Sequence, residues 1–227
     1  MKITLKQMLE SLSYDTLSFM ADSNHGNGTV AADQIPKAVS RINSVLRRLS
    51  VRFVLNEKFV YVNVTSDRRY YPMTAGSAWI VSDPTEPFTG DIGRILGIET
   101  PSGRMHDLGD KATHNSILLR DDGQAFSLDV LVPAGQYKVI YKAATPQFQT
   151  DGSDLTQELN IPEALLNALY MGVAAITYEG IGGPENLAMA RDKWAHYEKE
   201  CNEAKIHSAV EVEENDEGNK FRDKGFI

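Results

Sequence analysis

Five histidines and one cysteine are the residues with which this chain could hold a metal or attack a substrate. His25, His106, His114, His196 and His207 show no ligand spacing with one another or with Cys201. A single cysteine excludes both an internal disulfide and a C-x-x-C metal site. Cys201 falls in a helical pattern and reads as a small buried or half-buried side chain. His196 and the acids near it read as a solvated helix face. There is no G-x-S-x-G elbow, no Walker loop and no H-E-x-x-H. GIGG at 180–183 has the composition of a phosphate loop, but it follows a helical pattern, so helix termination is the better reading. No catalytic residue, metal or cofactor is assigned.

One segment approaches a calcium loop. Asp22 to Asp33 has the length of an EF-hand loop between two helical patterns, with Asp22 and Asn24 at the first and third positions. Gly26 stands where a ligand is needed, Asn27 replaces the glycine of the sharp turn, and Asp33 replaces the bidentate Glu. Asp33 is more simply explained as the N-cap of the next helix.

Two charged features remain. Lys37, Arg41, Arg47, Arg48 and Arg52 form a basic cluster with no acid between residues 34 and 56. It reads either as the solvated back of a helix or as a surface meeting an acidic neighbour or passing DNA. The chain then ends in EVEENDEGNKFRDKGFI, where an acid-rich stretch is followed by Phe221, Arg222, Phe226 and Ile227. A stretch so rich in Glu and Asp has little apolar surface to offset its ordering entropy, so it is expected to gain structure only against a partner. From residue 205 onward it could reach about 75 Å if fully extended.

Composition narrows the class. The chain has 227 residues, 42% hydrophobic and 24% charged, a net charge of −8 and a pI near 5.2. That length can bury a sizeable core in one or two domains. An acidic balance disfavours gripping nucleic acid, whose affinity comes from clustered Lys and Arg. The opening MKITLKQMLE lacks the apolar run of a secretory signal. The most apolar stretch, ALYMGVAAITY, falls short of a bilayer span. A soluble intracellular product with no membrane contact is expected.

The elements that would position these groups follow from periodicity. Leu5, Met8, Leu9 and Leu12 share one helix face, with Thr4 and Gln7 placed for a capping box. Ile35, Val39, Ile42, Leu46 and Leu49 form a narrow apolar seam on a second helix, with Pro36 in its first turn. From about residue 51 the period becomes two. Phe59 and Tyr61 alternate with Val60 and Val62, Phe126 and Leu128 share a face with Val130 and Val132, and Tyr137, Val139 and Tyr141 share another. RDDGQ at 120–124 is a turn signal, so 115–132 reads as a hairpin. Helices return in NIPEALLNALYMGVAAITYEG, with Asn160 and Glu163 placed as a capping box, and after GIGGP, where Pro184 fits a first turn. The expected fold is α+β: helix pairs at 1–52 and 149–204 closing a four-helix bundle, an inserted antiparallel β-sandwich or open barrel at 53–148, and a C-terminal arm at 205–227.

Taken together, LSYDTLSFMAD, PKAVSRINSVLRRLSVRFVLNEKFVYVNV, DPTEPFTGDIGRILGIETPSG and IPEALLNALYMGVAAITYEGIGGPENLAMARDKWAHYEKECNEAKI resemble the head-to-tail adaptor proteins of short-tailed bacteriophages, also called tail tubular or head-completion proteins. They cover most of the chain in order, and none is a sharp catalytic signature. The resemblance implies a non-enzymatic virion protein, assembled in the host cytoplasm. It implies a homo-oligomeric ring, usually twelvefold, beneath the portal protein and joined to a tail nozzle or tail-tube protein. Its bundle would build the ring, and the arm would dock on the portal through Phe221, Arg222, Phe226 and Ile227. The basic helix face, Arg41, Arg47, Arg48 and Arg52, is a weaker binding candidate. Double-stranded DNA would pass without specific binding, which an acidic ring permits. Another neck or tail-tube ring component is the alternative, and a virion-associated hydrolase is a more distant one.

Overall fold

In a computed structural model of the chain, the structure describes residues 2–16, 30–83, 87–106, 108, 117–128, 132–149, 151 and 154–206. The fold is mixed α+β, with four α-helices and antiparallel sheets among the described residues. Two compact units divide it, one drawn from Met1–Leu55 and from Thr145 onward, the other formed by Asn56–Ala144. The residues of Phe221, Arg222, Phe226 and Ile227, most of the 22–33 loop, and His25, His114 and His207 lie outside the described residues.

In the first unit β1 (Lys2–Thr4) leads into α1 (Leu5–Ser11), which Thr4 starts with a full capping box: its Oγ1 accepts from the Gln7 amide while Gln7 Oε1 accepts from the Thr4 amide. A π-helical turn, Leu12–Thr16, continues it. Helix α2 (Ile35–Arg52) buries Val39, Ile42, Leu46 and Leu49 as the seam requires, and Ala38 and Val45 widen that face. Asp33 does not cap it. Gln34 occupies the N-cap position, already in helical conformation, and the Asp33 carboxylate accepts from the Gln34 side chain instead.

A short strand, β10 (Glu158–Asn160), pairs antiparallel with β1, setting Lys2 opposite Asn160 and Thr4 opposite Glu158. Asn160 therefore belongs to a strand and caps nothing. The chain then passes Pro162 into a 3-10 turn, Glu163–Leu165, before α3 (Leu166–Ile181) begins. Gly182 and Gly183, at φ of 75° and 83°, stop α3 in backbone that L side chains rarely adopt, and Pro184 opens α4 (Pro184–Ile206). One hydrophobic cluster takes side chains from α1, α2, α3 and α4 and from the β1–β10 ribbon.

Side chains of α2 and α4 pack directly on Gly172 of α3. A Cβ there would stand 2.7 Å from Val45 Cγ1 and 3.2 Å from the Tyr197 ring. The apolar run was expected to be too short for a bilayer, but Glu163–Ile181 is long and apolar enough by length and composition alone. Within the unit its Ala168, Leu169, Val173 and Ala174 are fully buried, the behaviour of a core helix.

The second unit begins with β2 (Glu57–Val64), followed by β3 (Tyr70–Pro72), β4 (Ile80–Val81), β5 (Ile92–Glu99) and β6 (Met105–His106). Then come β7 (Ile117–Arg120), β8 (Ala125–Leu128) and β9 (Gly135–Ala143). One sheet has the order β4-β2-β9-β5-β6 and the other β3-β8-β7. The β7–β8 pair is the hairpin implied by RDDGQ, closed by a 3-10 turn at Asp121–Gly123. Val60, Val62 and Val64 of β2, Tyr137, Val139 and Tyr141 of β9, and Tyr71, Phe126 and Leu128 of the smaller sheet share one core cluster. Alternation thus points the valines of β2 inward and Phe59 and Tyr61 outward.

The unit boundaries fall inside the 53–148 span expected from sequence. Phe53, Leu55 and Phe148 bury in the helical core, because the segment leaving the β unit is held on α2. Asn43, almost fully buried, donates from Nδ2 to the Phe148 carbonyl at 2.8 Å and accepts from the Phe148 amide at 2.9 Å. One turn pair further on, Ser50 accepts from Thr145 Oγ1 at 2.8 Å. Helix α4 also extends through Ile206, past the residue at which the arm was expected to start.

Candidate interaction surfaces

The basic cluster does not form one solvated face. Arg41, Arg48 and Arg52 recur at seven and four residues, so they share one stripe of α2. Arg41 lies beside Gly180 of α3, and partial burial lowers its pKa. The Arg48 guanidinium sits 4.5 Å over the Trp194 ring of α4. Arg52 Nη1 donates to Glu198 Oε2 at 2.8 Å. Burial works against the Arg52 charge, but the Glu198 hydrogen bond together with the charge interactions with Cys201, Glu198 and Tyr197 outweighs it and leaves the pKa above its ordinary value. Arg47 points away from this stripe and returns its Nε to the Asn43 carbonyl of its own helix. Three of the four arginines singled out in the sequence therefore serve contacts among α2, α3 and α4.

Around them the aromatic side chains are tightly held. Trp194 Nε1 donates to Glu179 Oε1 at 2.8 Å, and its ring meets Tyr197 edge-on at 5.2 Å. Burial pushes the Tyr197 phenol far up and raises the Cys201 thiol as well. A buried thiol with a raised pKa is a poor nucleophile. His196 lies on the outer side of α4, paired with Asp192 one turn away. Among the described residues no three His, Cys, Asp or Glu side chains converge as a metal site would require.

The β unit carries two features that sequence reasoning did not assign. Thr100, Ser102, Arg104 and His106 line an open cleft of about 540 Å3 together with Pro101, Pro133 and Tyr137. The Thr100 and Ser102 hydroxyls bond to each other, and Thr100 also holds the Arg104 backbone, so the polar groups on this rim close a turn. The larger feature is the outer face of the five-stranded sheet. Register sets Val81 beside Tyr61 and Tyr61 beside Lys138, and in the next row sets Phe59 beside Ile140 and Ile140 beside Gly97. The Met105 methyl covers Gly97.

An apolar stripe therefore crosses the sheet, with Phe59 57% and Met105 58% exposed. Phe59 and Tyr61 meet edge-on at 5.7 Å, and Lys138 Nζ lies 4.8 Å above the Phe59 ring while pairing with Glu99. Glu57, Lys142 and Arg94 form the row on the other flank. The signal was present in KFVYVNV: in a strand whose valines face a core, both aromatics must face out. No protein-family model matches the chain, and no curated protein matches it.

Proposed function

We propose that the chain is a non-enzymatic structural protein of a bacteriophage virion, a head-to-tail adaptor that forms a ring under the portal and joins the capsid to the tail. In this reading the four helices of the first unit act as a bundle, the two sheets of the second as a small sandwich, and double-stranded DNA passes through the ring. The observation that carries it is the sharing of one core by α1, α2, α3 and α4, drawn from the chain before and after the β unit, the order the adaptor resemblance calls for. The docking of Arg48 and Arg52 onto α4 supports the same reading, since it ties the two halves of that core together.

The acid-rich C-terminal segment, with Phe221, Arg222, Phe226 and Ile227, docks on the portal protein. Phe and Ile side chains gain about 1.5–3 kcal/mol each when fully buried, so three at one tip suffice for a modest single contact. Many copies on one ring then bind together through their effective concentration. The exposed stripe on the β sheet favours a second reading, a neck or tail-tube ring component whose β unit makes the ring contacts. Truncation at residue 206 separates the two. An adaptor shortened there loses binding to the portal ring encoded by the same genome and yields no infectious particles, whereas a tube component still assembles.

A further inference from the structure

We infer that the basic stripe of α2 is the docking surface for the acid-rich run 211–217 of the same chain, which folds back along the helix from the end of α4. The inference goes beyond the proposed function, because it concerns the free chain and needs no portal. Lys37, Arg41, Arg48 and Arg52 recur at four, seven and four residues, so all four lie in one line along α2. In this line Arg52 has a carboxylate partner, Glu198. Lys37 is exposed, Arg41 is half-buried beside Gly180, and Arg48 sits over the Trp194 ring. Among the described residues none of these three pairs with an acid, and the Glu179 carboxylate is taken up by the Trp194 indole N–H. A half-buried cation without a counter-charge is unfavourable, and a carboxylate laid over it offsets that penalty.

Geometry and charge select the occupant. Contacts advance together from Arg48 on Trp194 to Arg52 on Glu198, so α4 runs beside α2 in the same direction. It ends at Ile206, eight residues and about 12 Å past the level of Arg52. From Arg52 back to Lys37 the stripe is about 22 Å long. An extended chain covers about 3.3 Å per residue, so acids five to eleven residues past Ile206 lie about 17–36 Å along it. Turned back over the end of α4, that reach runs from just beyond Arg52 to Lys37. The run supplies Glu211, Glu213, Glu214, Asp216 and Glu217, and residues 207–219 hold no Lys or Arg. The tether keeps it at high effective concentration, so pairs that are individually weak at a surface suffice together. Phe221, Phe226 and Ile227 follow the run and take no part in the contact.

The test places a nitroxide on Asn215→Cys in a Cys201→Ala background of the full chain and reads paramagnetic broadening of the α2 backbone amides by NMR. Circular dichroism checks that each variant keeps the fold. Amides of residues 41–52 broaden, and added salt reduces the effect. Three surface pairs of ordinary strength favour the docked form by about tenfold. Lys37→Glu/Arg48→Glu therefore lowers the docked share, and the broadening with it, by about threefold. Adding Glu213→Lys, Glu214→Lys and Glu217→Lys to that variant restores the broadening, which a merely structural role for Lys37 and Arg48 does not allow. No broadening along α2, broadening that ignores the charge reversal, or equal broadening between a spin-labelled chain and a separate isotope-labelled one overturns the inference. Amides of α2 that shift with a short DNA duplex but are not broadened by the nitroxide assign the stripe to DNA and overturn it as well. None of these outcomes involves the portal, so this inference and the adaptor reading fail separately.

Discussion

Replacing Asn43 with alanine probes the join between the helical unit and the segment that returns from the β unit. The Asn43 amide uses both ends, donating to the Phe148 carbonyl and accepting from its amide, at a site only 1% exposed. Alanine leaves one N–H and one C=O of buried backbone without partners, each costing about 1–3 kcal/mol. With partial relaxation the sum comes to about 3 kcal/mol, a large share of the ~5–15 kcal/mol that holds a domain folded. Urea unfolding should be followed by Trp194 fluorescence in a Trp79→Phe background, because the chain has two tryptophans, one in each unit, and the units need not unfold together. Asn43→Asp keeps the shape but loses the donor and buries a charge, so it is at least as destabilising at pH 7. Its folded-state pKa is raised, so its deficit shrinks as pH falls through that value and the protonated acid regains a donor. A cost below about 1 kcal/mol for Asn43→Ala would refute the clamp.

Three further predictions concern other contacts. Gly172→Ala forces Val45 aside; overpacking of about 1–3 kcal/mol outweighs the ~1 kcal/mol gained in helix propensity, and Val45→Ala in the same chain recovers part of the loss, giving a non-additive cycle in urea unfolding. Asp91 accepts from Lys58 at 2.7 Å and Tyr141 at 3.2 Å; burial opposes its charge, but these bonds prevail and lower its pKa. The stability it contributes is therefore present above the unfolded value near ~3.9 and lost as pH falls through the lower folded value. Asp91→Asn should cost about 1 kcal/mol at pH 7, discounted for the exposure of Lys58, and flatten the acid dependence read by Trp79 in a Trp194→Phe background. Cys201, buried with a raised pKa, should react with an aromatic disulfide only as fast as the helical unit opens, and labelling as fast as in denaturant would contradict that burial.

What could be read from the chain depended on how local its cause was. The Thr4–Gln7 box, the GIGGP stop and the RDDGQ hairpin are set by neighbours in sequence, and each was legible as written. The seam of α2 was legible as well, but its polar members were not. Asn43 and Ser50 look like ordinary helix residues until Phe148 and Thr145 arrive from about a hundred residues away. The β1–β10 ribbon was hidden for the same reason, since two three-residue strands carry no period of their own, and Asn160 with Glu163 mimics a capping box that the pairing with Lys2 overrides. The basic cluster was misread as one face because linear proximity does not distinguish Arg47 from the stripe of Arg41, Arg48 and Arg52. Phe59 and Tyr61 could be placed on a common side by alternation, but which side met the core required the pairing of β2 with β9.

The adaptor reading meets its most direct test in light scattering of the portal ring encoded by the same genome, mixed with the full chain and with a chain ending at residue 206. The expected result is a gain in mass of many copies per portal ring with the full chain, and none with the shortened one. Equal gains from both chains, or no gain from either, would contradict it.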